Sequence, residues 1–227
     1  MAFCKIVFCF FCFLFSQNIY AQIHFAIKAD FIEEVTDGKD FNVISKGFVV
    51  YNKNENNLFT SILYPYSHKS LLSLNMIKVI ENDKDTSFYV NSESLLSSIF
   101  YKALHGTIFN FGLEDLNYYI DDVQKINDAV YSTYRISKSI LDTLKITDNI
   151  ITKIIISQKD IYPDSVVMFN DNNNVLLKTF LYNYQLFSGI EFPTQIITVS
   201  YLNKDEELYT KTIYKNIVFD DDILDHF

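Results

Sequence analysis

The stretch 174–202, NVLLKTFLYNYQLFSGIEFPTQIITVSYL, reads as two β-strands joined by a tight turn at Ser188-Gly189. Aromatic and β-branched side chains suit a pleated, half-buried surface, and long strands with a short connection pair antiparallel. A sheet with one wet face alternates cleanly between apolar and polar residues. This hairpin does not. Leu176, Phe180, Tyr182, Tyr184 and Leu186 share one parity, yet Val175, Leu177 and Leu181 take the other. In the return strand Ile190, Phe192 and Ile196 oppose Ile197, Val199 and Tyr201. Both faces must then be covered, or one must line a cavity. A packed sandwich meets that demand, and so does a strongly curved sheet closed by a helix.

Outward from this hairpin the pattern repeats. Downstream, residues 203–206 (NKDE) turn the chain into a last strand, Glu207 to Phe219. Upstream, Ser165 to Asn170 meets the hairpin across Asp171-Asn172-Asn173, Asn149 to Ser157 is another strand, and Asp121 to Lys138 holds one or two. The first half reads as a meander: His24 to Val35, Phe41 to Tyr51, Leu58 to Tyr64, Leu71 to Ile80 and Thr86 to Val90. Its turns are rich in Asn and Asp, which bond their own backbone and tolerate left-handed conformations. Gly47 falls inside the second strand, marking a bulge or a close backbone approach. Between the halves the period changes. Leu95, Leu96, Ile99, Phe100, Ala103 and Leu104 fall at helical spacing, with Asn91 or Ser92 as cap and Gly106 where a C-terminal cap belongs. Residues 107–120 read as a second short helix and a connection. The expected class is mainly β (α+β): roughly ten antiparallel strands with one or two helices.

Residues 1–21 have the three parts of a cleavable secretory signal peptide: Lys5, the apolar run 6–15 (IVFCFFCFLF), and a polar stretch leading to Ala21 as the last leader residue. Ten apolar residues are half of the roughly 20 a spanning helix needs. Cys4, Cys9 and Cys12 follow phenylalanines, too bulky for a lipid-attachment site, and all depart with the leader. The expected mature chain, 22–227, is a single domain without cysteine. It carries 18 basic against 28 acidic residues, a balance opposite to that of a phosphate-binding nucleic-acid partner.

Chemistry-bearing motifs are missing. His24, His68, His105 and His226 are far apart, so no metal site is expected. Asp220, Asp221, Asp222 and Asp225 lack the glycine and oxygen spacing of a calcium loop. With glycine only at 38, 47, 106, 112 and 189, there is no Gly-x-Ser-x-Gly elbow and no phosphate loop. Adjacent carboxylates such as Glu33-Glu34 and Asp121-Asp122 point to opposite faces of a strand and make poor acid/base pairs. No catalytic residue and no cofactor is expected.

Several short motifs resemble the outer-membrane lipoprotein carrier family, the LolA-like periplasmic proteins. Residues 29–33 (ADFIE) precede 46–53 (KGFVVYNK), similar to that family's glycine, aromatic/aliphatic run and basic residue; Leu58-Phe59 and Tyr64-Pro65 follow in order. Residues 188–196 (SGIEFPTQI) resemble the family's G-x-x-F-P strand, and 216–219 (NIVF) its usual ending. The resemblance implies an incomplete β-barrel with helices over its mouth, and a periplasmic carrier or chaperone whose concave apolar face receives acyl chains of lipid-modified proteins or free lipid. An inner-membrane release complex, an outer-membrane receptor and a monomeric state belong to the same expectation. It makes Val49, Tyr51 and Phe59 candidates for the cavity wall and Leu95, Leu96, Ile99, Phe100 and Leu104 candidates for the lid face. The family's carriers place an arginine in the second strand, bonded to the lid; the matching position here is Lys53, a point donor rather than a planar fork. Only about residues 22–25 precede the first strand, so the family's N-terminal helix is nearly missing. The rival expectation is an exported β-rich interaction module with a filled core.

Overall fold

The computed structural model describes residues 24–36, 40–81, 84–136, 150–203 and 206–220. The expected leader with Ala21, the turn residues 37–39, 82–83 and 204–205, the segment 137–149, and the acidic tail from 221 with His226 lie outside the described residues. Six strands come first: β1 (Ala26–Thr36), β2 (Asn42–Asn52), β3 (Asn57–Tyr64), β4 (His68–Leu72), β5 (Met76–Glu81) and β6 (Lys84–Tyr89). Two short helices follow, α1 (Glu93–Leu96) and α2 (Ile99–Leu104). Then come β7 (Tyr118–Ile126), β8 (Ala129–Ile136), β9 (Lys153–Gln158), β10 (Pro163–Phe169), β11 (Val175–Phe187), β12 (Ile190–Asn203) and β13 (Glu206–Phe219).

All thirteen strands lie in one antiparallel sheet, in the order β6-β5-β4-β3-β2-β1-β13-β12-β11-β10-β9-β8-β7. Every pairing but β1 with β13 joins strands adjacent in sequence. The free edges are β6 and β7, and residues 90–117 run from one to the other. At a spacing of about 4.8 Å, thirteen flat strands would span roughly 58 Å. Instead, one apolar cluster joins Val49 and Tyr51 of β2, Phe100 of α2, Phe192 of β12, Ile154 of β9 and Tyr134 of β8. The sheet is therefore curled around the helices as an unclosed half-barrel. The register shifts within seven strand pairs, and each such irregularity adds local twist and bend. Between β1 and β13 the extra residue lies on β13 beside Asn216, whose φ is +50° and whose amide donates to Asp30 at 2.7 Å.

Asparagine takes the left-handed turn positions that glycine would fill elsewhere: Asn56, Asn127 and Asn173 have φ of 52°, 54° and 60°. Gly47 is the exception that only glycine satisfies. The register shifts between Lys46 and Gly47, and a Cβ there would stand 1.9 Å from the Ser61 carbonyl oxygen.

Two expectations are corrected. The run Leu71 to Ile80 is not one strand but the hairpin β4–β5, closed by Ser73 N–H donating to Met76 C=O at 2.8 Å. The helix expected over 92–105 is broken in two, because Ser97 and Ser98 interrupt it. Ser98 takes an extended backbone (ψ 136°) and its hydroxyl accepts from Phe100 N–H, capping α2 afresh. The expected C-terminal cap is present. Gly106 has φ +67°, and Gly106 and Thr107 donate to the Ala103 and Lys102 carbonyls at 3.2 and 2.9 Å.

The two-sided strands have a two-part explanation. Leu177 and Thr179 of β11, with Ile196 and Thr198 of β12, face the hollow, so Leu176 and Phe180 alternate onto the convex side. On that side, among the described residues, four lysines lie over aromatic rings. Lys28 lies over Phe48, Lys153 over Phe169, Lys178 over Tyr201 and Lys211 over Phe41, with ammonium-to-centroid distances of 4.3 to 5.2 Å. Each ammonium sits over the face of a ring, a cation–π contact; the Lys211 and Lys153 ammonium groups also bond Glu34 and Asn173 at 3.0 and 2.5 Å.

Candidate functional site

The concave face holds an apolar cavity of about 490 Å³ beneath the helices. Strands β7 to β13 form its wall, with Ile154, Met168, Leu177 and Ile196 among the apolar contributors. Ile99 of α2 and the loop residues Phe111, Leu113 and Leu116 form its roof. A second cavity of about 340 Å³ lies between β1 to β3 and α2, lined by Phe31, Val49, Leu58 and Phe100 among others. Ile99, Thr212 and Tyr214 line both, so the hollows adjoin.

The candidates read from sequence distribute as follows. Val49, Ile99 and Phe100 line one hollow or both. Tyr51, Leu95 and Leu104 are buried in the same apolar cluster and Leu96 packs against it, but none of the four lines either cavity. Phe59 stands on the other face: it is paired with Val50 and packs with Phe48, Ala26 and Val50. Its neighbours Leu58 and Thr60 take the concave positions, as strand alternation requires. Lys53, just past the end of β2, donates from Nζ to the Leu104 carbonyl at 2.9 Å, meeting the negative end of α2.

That contact belongs to a small latch. The Tyr51 hydroxyl lies 3.0 Å from His105 Nε2 and donates to Asn56 Oδ1 at 3.0 Å. The Tyr101 and His105 rings stack at 4.0 Å. Burial, with the Lys53 ammonium second, pulls the His105 imidazole below its ordinary pKa against the opposing pull of Asp115.

Most of the cavity wall was not singled out from sequence, although its signal was present in the two-sided apolar strands. The most unusual group is Lys102. It occupies the apolar stripe of the helical segment, three residues after Ile99, and is 1% exposed. Its Nζ donates to the Ser97 carbonyl at 2.5 Å and sits 3.8 Å from the Phe111 ring centroid. Burial brings its pKa down to about 7. Gly112, at φ +67°, lies against the Lys102 stem, where a Cβ would meet Cγ and Cε at 3.2 Å. Nearby, the Tyr118 hydroxyl donates to the Ile151 carbonyl at 2.8 Å; burial, then the Glu93 carboxylate, pushes it up to about 12. Among the described residues no three His, Cys, Asp or Glu side chains gather to hold a metal ion.

A curled, unclosed antiparallel sheet with helices crossing its hollow matches known structures. A LolA superfamily protein from Nitrosomonas europaea superposes with a TM-score of 0.57 at 15% identity, over 88% of this chain and 90% of that one. The two chains share a fold. A DUF1329 family protein from Desulfovibrio piger gives 0.58 at 11% identity, over 88% of each chain. A domain described as an outer membrane lipoprotein-sorting protein, from Vibrio parahaemolyticus, gives 0.56 at 11% identity, over 86% of this chain and 85% of that one. No protein-family model matches the sequence, and no curated protein matches it.

Proposed function

We propose that this protein is an exported, non-enzymatic carrier that holds acyl chains, of a lipid-modified protein or of free lipid, in the hollow of its half-barrel. The observation that carries this reading is the apolar cavity of about 490 Å³ under the helices, within the 300–1,000 Å³ typical of ligand sites. A filled-core interaction module has no use for such a void, since lost contacts along its lining are costly. Each buried methylene contributes about 0.8 kcal/mol. A sixteen-carbon chain is then worth roughly 12 kcal/mol gross, before ordering costs. The Lys53–Leu104 bond, with the Tyr51–His105 contact beside it, is placed to hold the helical layer down when the cavity is empty. On this reading the chain travels through the periplasm as a monomer and exchanges cargo with an inner-membrane donor and an outer-membrane acceptor.

Native mass spectrometry of the mature protein, recovered from the periplasm, tests the proposal. Near-stoichiometric phospholipid, fatty acid or acylated peptide is expected. A clean ligand-free mass, together with failure to bind an added acyl probe, would overturn the carrier reading.

A further inference from the structure

We infer that Lys102 marks the head-group end of the larger cavity, and that the cavity takes a lipid with an anionic head group. The inference rests on the carrier reading and narrows its ligand. The cavity of about 490 Å³ lies in the range that encloses a small ligand, and the hollow of about 340 Å³ beside it extends the space.

Charge in the cavity lining is one-sided. The sheet wall is uncharged, with Ile154, Met168, Leu177 and Ile196 alongside Thr179, Thr198 and Thr212. The helical end brings Glu93, Ser97 and Lys102, with Phe111 of the following loop, and the Lys102 ammonium lies between the Ser97 carbonyl and the Phe111 ring. Both groups that the charged nitrogen touches thus belong to residues of the cavity lining. Ser97 and Glu93 are exposed, which places this end at the opening.

Among the described residues no carboxylate forms an ion pair with Lys102, and neither of the two partners found for its ammonium is an anion. An ammonium has three donors, so at least one remains for a ligand. Buried cations without a counter-ion are costly; an incoming carboxylate or phosphate would supply it. The other ionisable groups lining the cavity are Glu93 on α1, Tyr118 on β7 and Tyr214 on β13, while the 107–117 loop contributes only Phe111, Leu113 and Leu116. Burial pushes Tyr118 and Tyr214 upward, so both stay neutral. Among the described residues lining the cavity, Lys102 is the one cation. In the empty site its pKa is about 7, and an anion bound beside it would draw a proton onto it.

The test uses three twelve-carbon probes, dodecanoate, dodecyl phosphate and dodecanol, displacing a fluorescent acyl reporter from the mature protein at pH 8. One or both anions should bind about tenfold or more tighter than the alcohol, the worth of a charge-assisted hydrogen bond; the tighter anion names the head group. In Lys102→Met the ratio of anion to alcohol affinity should fall to about one. Calorimetry of the wild type in two buffers of different ionisation enthalpy should show uptake of about one proton with the anion and none with the alcohol, an answer that does not depend on the variant folding. Equal binding of all three probes, or an anion preference that survives Lys102→Met, would overturn the anchor while leaving the carrier standing. Failure of all three, dodecanol included, would overturn the carrier reading and this inference with it.

Discussion

Gly47 and Lys102 show how single side chains constrain this molecule. At Gly47 any Cβ meets backbone of the neighbouring strand, the Ser61 carbonyl oxygen, at 1.9 Å, and backbone cannot swing aside as a flexible side chain would. Gly47→Ala should lower stability by about 1–3 kcal/mol, the range for overpacking. A denaturation midpoint equal to that of the wild type would contradict this. The Lys102 prediction concerns pH. Its folded pKa of about 7 lies well below the ~10.4 of a free lysine. Between those values the unfolded chain binds the proton and the folded chain does not, so stability rises with pH across that window. Below about pH 7 both states are protonated and the whole cost of burying the charge remains. Denaturant midpoints of the ligand-free protein from pH 6 to pH 10 should rise more steeply for the wild type than for Lys102→Met, with the variant ahead at pH 6; parallel curves would contradict the buried charge. The position was readable in principle, since a lysine three residues after Ile99 interrupts an apolar stripe. Such a lysine ordinarily snorkels outward, and only the loop wrapped at Phe111 and Gly112 keeps this one inside.

The helical layer is where local sequence signals gave an incomplete answer. The apolar spacing of residues 95–104 located it, and Gly106 marked its end. The break at Ser97-Ser98 was not anticipated, because serine is only mildly unfavourable in a helix and shows its capping role once its backbone turns extended. The consequence is a roof of two short pieces, each too short to be stable by itself and held by tertiary contacts. One is the bond from Lys53 Nζ to the Leu104 carbonyl. Lys53→Met should cost about 1 kcal/mol, the net worth of one hydrogen bond, and should speed amide exchange in Ile99–Leu104 more than in β1 or β13. Unchanged exchange in α2 would remove Lys53 from any role in holding the roof. The face assigned to Phe59 was lost to parity: one step along β3 moves a side chain from the hollow to the outside, and Leu58 has the place.

For the whole molecule, the pattern in 174–202 stated the problem and left two solutions open. Apolar residues on both strand faces fit a sandwich as well as a curled sheet. Topology distinguishes them: neighbouring strands pair in sequence order, β1 meets β13, and the 90–117 connection must cross the hollow between free edges. The rest of the surprise was the outer face, where, among the described residues, lysines lie over aromatic rings. Lysines scattered among phenylalanines carry no periodic signal of their own. The cavity wall was hard to name from sequence for a related reason, since its residues come from seven strands and the roof and converge only through curvature. A tryptophan reporter addresses that convergence directly, because the natural chain contains none. Phe111→Trp places the probe on the cavity lining and Phe180→Trp places it on the convex side of β11; each is titrated with a brominated acyl chain below its aggregation concentration. Saturable quenching of Phe111→Trp, with little at Phe180→Trp, is the result predicted for a chain inside the hollow. Equal quenching at both positions, or none at Phe111→Trp, would contradict it.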